Sequence, residues 1–342
     1  MHDASTLEIW RHSELGRARI DPTSLVRCAT LAASSHNTQP WRFRLQGRRI
    51  VILPDSSRRC PVVDPDDHHL FASLGCAAEN LALAAEAAGL HPHITFDAAL
   101  SAVCVDLEPQ QPRRTARFDA IPKRQTSRVA FDGAPLAPAE LRALELARHG
   151  EGVSPILIAD RERKEAVVEY VAAGNREQFG DPLWAKEMRA WIRFNPREAR
   201  RKGDGLIGKA LGIPEVPRWL GEMLMPLAAS AERQNRKDAE AIRSSGLIVV
   251  LASEVDDPRH WVEAGRACQR LALEATALGL RYAFINQPVE VAALRPQFAA
   301  FLGLAEGRPD LVLRIGRGPE QPRSLRRPIE DVVLPHVPPT VQ

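Results

Sequence analysis

Ser34-Ser35-His36-Asn37-Thr38-Gln39-Pro40-Trp41 is the stretch on which the reading of this chain turns. Upstream, Asp21-Pro22 supplies an N-cap and a first helical position, and Leu25, Cys28, Ala29, Ala32 and Ala33 recur at helical spacing. Downstream, Trp41 to Gln46 alternates as a half-buried strand does, Gly47 turns the chain, and Arg49 to Leu53 reads as the returning strand. A helix therefore empties into a loop of hydroxyls and amides that leads directly into a hairpin. Ser, Asn and Gln offer donors and acceptors without charge, which suits the edge of a flat heterocycle with alternating N–H and C=O groups. An Asn-bearing turn that only closes the helix would satisfy the same residues.

Residues 67–89 form the next strong element, a helix that Asp66 or Asp67 can cap. Leu70, Leu74, Ala77, Ala78, Leu81 and Ala85 give it an apolar face, and Gly89 stands where a left-handed terminal residue belongs. Short strands follow near His93–Phe96 and Ala102–Leu107. The helix then recurs far downstream. Ser73–Leu90 (SLGCAAENLALAAEAAGL) aligns without a gap to Glu263–Leu280 (EAGRACQRLALEATALGL), with nine identities in eighteen positions. Alanine-rich helices share composition, but the shared early Gly (Gly75 and Gly265) and the closing Gly-Leu go beyond it. Two copies mark a duplicated unit, not a solenoid. Their small residues predict a close helix crossing at a pseudo-twofold axis, with halves at 1–120 and 121–342.

In the second half, Pro138 starts a helix to about His149, Ile156–Ala159 reads as a strand, and Arg161–Phe179 as a helix. Residues 180–245 break the regularity and carry Trp184, Trp191, Trp219, Met188, Met223 and Met225 among Pro, Gly and charged residues. Such an insertion reads either as a lid over a ligand or as a packed helical subdomain. Leu247–Leu251 returns as a strand, Asp257-Pro258 opens the repeated helix, and Tyr282–Ile285 and Asp310–Ile315 are further strands.

The 342 residues are 44% hydrophobic and 26% charged, as a soluble globular protein requires. Basic and acidic residues nearly balance, 46 against 43, and no long basic block argues for nucleic acid. The start of the chain shows no secretory pattern and no window has the length of a membrane span. Five scattered cysteines without a CxxC pair read as reduced core residues, so a cytoplasmic protein is expected.

Two arginine clusters could hold a phosphate dianion: Arg124-Gln125-Thr126-Ser127-Arg128, and Arg323-Ser324-Leu325-Arg326-Arg327-Pro328. A solvated basic surface is the other reading of each. Asp64-Pro65-Asp66-Asp67-His68-His69 has metal-ligand residue types, but adjacent histidines on a helix are expected to point apart, so it reads as a capping cluster and no metal is assigned. No GxGxxG follows a strand.

Taken in order, these pieces resemble the nitroreductase superfamily of FMN proteins. Ser34–Trp41 resembles its flavin-edge loop, and Ile121–Phe131 its opening basic motif, usually written RRSxRxF, here with one extra residue before Phe131. The closing strand with Arg326-Arg327-Pro328 resembles its C-terminal phosphate-binding segment. In particular the chain resembles the fused, two-copy branch that includes the mycobacterial dormancy-associated Acg proteins. The resemblance implies an α+β nitroreductase-like fold of two fused pseudo-repeats, each a sheet flanked by helices, with long central interface helices and a helical lid insertion at about 180–245. It implies one noncovalent FMN, its phosphate held by Arg124, Thr126, Arg128, Arg326 and Arg327, its ring met by Ser34, Ser35, His36, Asn37 and Gln39. The loop Phe284–Gln287 would reach the other ring edge, and Arg11-His12-Ser13 would be a relic of the first copy's basic motif. NAD(P)H would deliver hydride to the ring and a nitroaromatic, quinone or similar small acceptor would remove it, with no catalytic acid, base or nucleophile needed from the protein. The alternative it implies is an FMN-sequestering protein whose lid excludes the nicotinamide. The fused halves mimic the family's dimer, so a monomer is allowed.

Overall fold

The computed structural model describes residues 21–147, 150–228 and 230–335; Arg11-His12-Ser13 lies outside them. Asp21 caps α1 (Pro22–Thr30), its carboxylate accepting from the Thr23 N–H at 3.0 Å. After the amide loop come β1 (Trp41–Gln46) and β2 (Arg49–Pro54), then α2 (His68–Ala87). The cap of α2 is not the one expected. Asp67 occupies the N-cap position in a left-handed conformation without using its side chain, and Asp64 reaches over instead, accepting from the N–H groups of His69 and Leu70 at 2.9 and 3.0 Å. The strands β3 (Leu90–Asp97) and β4 (Ala102–Pro109) complete a four-stranded antiparallel sheet in the order β1-β2-β4-β3.

Short helices α3 (Ala116–Ala120) and α4 (Pro138–Leu146) lead to β5 (Val153–Ile158). There follows a long helical excursion: α5 (Arg161–Gly180), α6 (Pro182–Trp191), β6 (Ile192–Arg193), α7 (Pro196–Lys202), β7 (Leu206–Ile207), α8 (Arg218–Ala228) and α9 (Ala231–Arg243). The chain then returns through β8 (Leu247–Ser253), α10 (Pro258–Ala277), β9 (Arg281–Phe284), the short α11 (Gln287–Glu290), α12 (Arg295–Leu302) and β10 (Arg308–Gly316). The second sheet is also antiparallel, ordered β5-β8-β10-β9. Both sheets follow one plan, strand, strand, long helix, strand, strand, with the last strand inside the one before it. What Gly47 does in the first copy, turning strand one into strand two, residues 159–246 do in the second. The insertion thus starts at α5, earlier than the irregular composition from residue 180 suggested.

Helices α2 and α10 cross at the centre, and the crossing is reciprocal. A Cβ at Gly75 would lie 2.0 Å from the Val262 carbonyl oxygen, and one at Gly265 would lie 1.9 Å from that of Ala72. Val262 and Gly265 are the repeat equivalents of Ala72 and Gly75, so each glycine admits the other helix's backbone at the same register. The next turn repeats the exchange: Glu79 takes a bidentate ion pair from Arg270, at 2.8 and 2.6 Å, while Gln269 donates to Asn80 at 2.8 Å. These four side chains stand at two equivalent positions of the repeat. The predicted pseudo-twofold crossing is present.

The sheets differ in burial. β3 alternates between half-buried and exposed residues, whereas every residue of β8 and β10 is buried. Trp41, Phe43, Ile52 and Val103 pack one face of the first sheet on Leu74 and Leu81 of α2. In the second sheet, Val249 and Leu313 face α10, while Ile248, Val250 and Val312 face Val167, Val171 and Ile242 of α5 and α9. An uninterrupted apolar run such as Leu247 to Ala252 requires cover on both faces. The insertion provides the second cover. The tail ties the halves together, with Phe43 bonded to Val332 and Leu334 at 2.8 Å each beside β1.

Candidate functional site

A cavity of about 1140 Å³ opens where the amide loop, α2, the 124–128 segment, the β9–α11 loop, the tail at 322–326 and the insertion meet. Its volume slightly exceeds the roughly 300–1,000 Å³ of common cofactor pockets, so a flat cofactor leaves room for a second ligand. From the insertion come Phe179, Trp184, Met188, Leu224 and Met225, an apolar roof.

Ser34, Ser35, His36 and Asn37 border the cavity, and so do Arg124, Thr126, Arg128 and Arg326. The loop holding the first four is strained, with φ of 47° at His36, 54° at Asn37 and 54° at Gln39. Left-handed backbone at residues other than glycine costs of order 1–3 kcal/mol each and persists where surrounding contacts enforce it. Those contacts are visible. Asn37 Nδ2 donates to the carbonyls of Gly205 and Leu325 at 3.0 and 3.2 Å, and the Gly205 N–H returns a bond to the Asn37 carbonyl at 3.1 Å. Gln39 Nε2 donates to the Gly203 carbonyl at 2.8 Å, and its Oε1 accepts from the Arg327 N–H at 2.8 Å.

Gln39 and Arg327 are not among the cavity's lining residues, so the two expected ligand contacts have other partners. Gln39 is fully buried between the insertion and the tail, and Arg327 reaches the Gln39 carbonyl at 3.2 Å, Asp55 at 3.4 Å and the Asp331 carbonyl at 2.9 Å. They clasp the loop from behind. Arg326 combines both roles: it borders the cavity, yet its guanidinium caps the end of α1 through the carbonyls of Thr30, Leu31 and Ala32 at 2.7, 3.3 and 3.2 Å, and reaches Asn37 Oδ1 at 3.0 Å. Burial, with Arg124 and Arg323 nearby, lowers its pKa to about 9.

Arg124 donates to the Leu31 carbonyl at 3.1 Å and to the Tyr282 hydroxyl, which Thr126 also approaches at 3.4 Å. Arg128 differs from both. Its side chain borders the cavity with no hydrogen bond or ion pair among the described residues, and burial depresses its pKa. A half-buried guanidinium that no protein acceptor occupies is free to receive an anionic or carbonyl group in the cavity.

Some cavity residues were absent from the expected set. His69 borders it, is 5% exposed, and has no hydrogen bond at either ring nitrogen, Nδ1 lying 3.7 Å from Asp64 Oδ1. Burial, then His68, lower its pKa to about 4; burial, then Arg128 and His69, do the same for His36. Contrary to expectation, His68 and His69 do not diverge: their ring centroids are 4.8 Å apart, and with Asp64 they bring ligand-type atoms within 4.8 Å of one another. Asp64 caps α2 and His68 Nε2 lies 2.8 Å from Asp310, so that cluster's hydrogen bonding is largely internal. Arg314 also borders the cavity, donating to the carbonyls of Ser127 and Val129 at 3.0 and 2.9 Å while Nη1 has no partner. A lone charge inside Leu311-Val312-Leu313-Arg314-Ile315 was the sequence signal for it.

No family model matches the chain. Among proteins of known sequence, it is 26% identical over 324 residues to Rv3131 of Mycobacterium tuberculosis, provisionally named an NAD(P)H nitroreductase, covering 91% of this chain and 90% of that one. The acg protein of the same organism, under the same provisional name, is 24% identical over 324 residues, covering 90% of this chain and 94% of the other. Over nine-tenths of its length the chain is similar to these Acg-like proteins, which are provisionally named NAD(P)H nitroreductases. Solved structures similar to this Acg-like chain include the FMN-dependent nitroreductase NfnB from Mycobacterium smegmatis with NADPH, at 15% identity and TM-score 0.43, covering 65% of this chain and 98% of that one. A nitroreductase with bound FMN from Bacteroides fragilis follows at 13% identity and TM-score 0.38, covering 62% and 95%. In this Acg-like fold no helix among the described residues is long and apolar enough to cross a membrane.

Proposed function

We propose that the protein binds one FMN noncovalently in this cavity and acts as an NAD(P)H-dependent oxidoreductase on a small nitroaromatic, quinone or similar acceptor. The observation that carries the reading is Arg128, half-buried at the cavity edge with no hydrogen bond or ion pair among the described residues. Arg124, Thr126, Arg128 and Arg326 would hold the phosphate and the polar ring edge, and Ser34, Ser35, His36 and Asn37 would line the ring. The relatives' provisional names support the reductase assignment. Bound there, FMN supplies the chemistry of accepting and passing on a hydride.

The chain's own residues prepare that exchange. The strained loop fixes backbone donors before the ligand arrives, which lowers the cost of ordering them. The apolar roof from α5, α6 and α8 excludes water and strengthens the guanidinium contacts beneath it. No general base is assigned. Anaerobic stopped-flow mixing of the purified yellow protein with NADH and NADPH tests the reading: flavin bleaching within seconds supports the reductase, and a cofactor that stays oxidised refutes it.

One set of contacts favours the sequestration reading. The insertion is latched to the first half: Glu187 accepts from the N–H groups of Val62 and Val63 at 3.0 Å each, Asp204 takes an ion pair from Arg58, and Gly203 and Gly205 bond to Gln39 and Asn37. A roof held this firmly would keep a bound flavin from the nicotinamide.

A further inference from the structure

The turn before α2 and the first residues of that helix gather Asp64, His68 and His69, and β10 brings Asp310 to the same place from the other half of the molecule. All four side chains are at most 5% exposed. Neither Asp64 nor Asp310 has a Lys or Arg within ion-pair distance among the described residues; the ionisable side chains that reach them are His69 and His68. The nearby guanidinium of Arg308 is already committed, to Asp66 and Asp256 at 2.7 and 2.8 Å. Two carboxylates buried without a cation are costly unless something else supplies the positive charge.

The geometry suits a metal ion. One oxygen of Asp64 and one nitrogen from each histidine lie within 4.8 Å of one another. His69 Nδ1 stands 3.7 Å from Asp64 Oδ1, and neither ring nitrogen of His69 makes a hydrogen bond. That separation is too long for a hydrogen bond. It matches two ligands of one ion, since bonds of about 2.0–2.2 Å put tetrahedral neighbours about 3.3–3.6 Å apart; closing the widest separation by about 1 Å completes the set. The bonds Asp64 accepts from the His69 and Leu70 N–H groups leave lone pairs on its oxygens. They also absorb the partial positive charge at the start of α2 that would oppose a cation. His68 is held from behind. Its Nε2 lies 2.8 Å from Asp310 Oδ1, and a carboxylate accepting from Nε2–H leaves the Nδ1 lone pair available, the way metal-bound histidines are usually oriented. Asp310 is aimed by a bulge: the pairing of β10 with β8 passes from Pro309 opposite Ala252 to Leu311 opposite Leu251 and leaves Asp310 out of the ladder.

We infer that Asp64, His68 and His69 form a binding site for one divalent transition-metal ion of the zinc class, with Asp310 as the residue that positions His68. Two buried imidazoles select such an ion over magnesium or calcium, which take oxygen ligands. The ion neutralises the buried carboxylates and ties the turn at residues 60–67 to α2. The same turn gives the Val62 and Val63 N–H groups to Glu187 of the roof, so the site underlies the latch of the insertion. None of the four residues is assigned to the flavin, and the inference stands apart from that reading.

The test uses the full-length protein, stripped with a chelator and titrated with Zn²⁺ alone in competition with a chromophoric zinc indicator. We expect one tightly held ion per chain, a melting temperature that rises with zinc, and no displacement by excess Mg²⁺. His69→Leu loses no hydrogen bond of the metal-free fold, so it should still fold, bind zinc at least tenfold more weakly and lose the zinc-dependent rise in melting temperature. Asp310→Asn keeps all three ligands and should weaken zinc by about tenfold, the usual effect of removing the carboxylate behind a ligating histidine. His91 and His93, both exposed on β3, are the control for zinc caught by surface histidines, and replacing both with glutamine should leave the affinity unchanged. Parental zinc affinity in His69→Leu overturns the inference. So does loss of the tight ion in the His91 and His93 control, which would assign the zinc to the surface. Because the readout is zinc uptake and melting, a failure here is separate from a failure of the flavin reading, which would show as colourless protein.

Discussion

Replacing Gly75 or Gly265 with alanine probes the crossing on which the duplicated fold depends. The added methyl carbon would sit 2.0 Å from the Val262 oxygen in one case and 1.9 Å from the Ala72 oxygen in the other. Ordinary contact needs well over 3 Å, so α2 and α10 must part by more than about 1 Å, and the obstructing atoms are backbone that no rotamer change can move. Overpacking of this kind costs about 1–3 kcal/mol and sometimes more, against about 1 kcal/mol that alanine gains in helix propensity. Because the obstructing atoms are backbone, the cost falls at the upper end of that range, and we expect each single variant to lose about 2 kcal/mol net in urea melts followed by circular dichroism. The double variant should lose less than the sum, because one separation of the helices relieves both clashes. Gly180→Ala, with nothing within 4 Å of its Cβ and an ordinary φ, is the control and should be neutral or slightly stabilising. Single variants within 0.5 kcal/mol of the parent, or strictly additive losses, would refute the reciprocal crossing. Ala72 and Cys76 border the cavity from this crossing, so the same variants should also release flavin more readily.

Arg128→Ala should purify with well under a tenth of the parent's FMN while melting within about 1 kcal/mol of the FMN-free parent, since its side chain bonds to nothing in the described protein; full occupancy would contradict the phosphate and ring-edge assignment. Arg326→Ala should lose both flavin and fold stability, because three carbonyls at the end of α1 lose their donor; retention of parental stability would show the cap to be unimportant. Glu187→Ala removes two charge-assisted hydrogen bonds from the roof and should speed proteolysis within residues 182–228 and flavin reduction by NADH, and an unchanged reduction rate would show that the roof does not limit access. His69 has a folded-state pKa of about 4 against the usual 6.5, so the folded protein binds fewer protons than the unfolded one between those values. Its contribution is complete above pH 6.5 and is lost as pH falls toward 4. His69→Leu should flatten the stability slope of FMN-free protein in that window, and parallel parent and variant curves would show that His69 titrates normally.

Much of this architecture was legible in the chain because it is written in local periodicity. The helical spacing around Leu70–Ala85, the alternation of Trp41–Gln46 and the shared Gly and Gly-Leu of the two long helices specify elements and a duplication before any contact is known. The sequence also pointed to the amide loop and the arginines, since charge-bearing and amide-bearing clusters are visible without coordinates. It could not assign their partners. Gln39 and Arg327 belong to the ligand by motif, but their neighbours in space are the insertion and the tail, which lie far away along the chain. Asp64 took the cap from Asp66 and Asp67 because the turn before α2 directs its carboxylate over the helix end, a geometry that spacing does not encode. The start of the insertion was hidden as well, since α5 is a regular helix whose role is to cover the second face of β8 and β10. His69 and Arg314 became candidates only when packing left the His69 ring nitrogens and Arg314 Nη1 buried without hydrogen bonds. Periodicity is a property of neighbours along the chain, whereas the satisfaction of a buried polar atom is a property of neighbours in space, and only the folded structure brings those together.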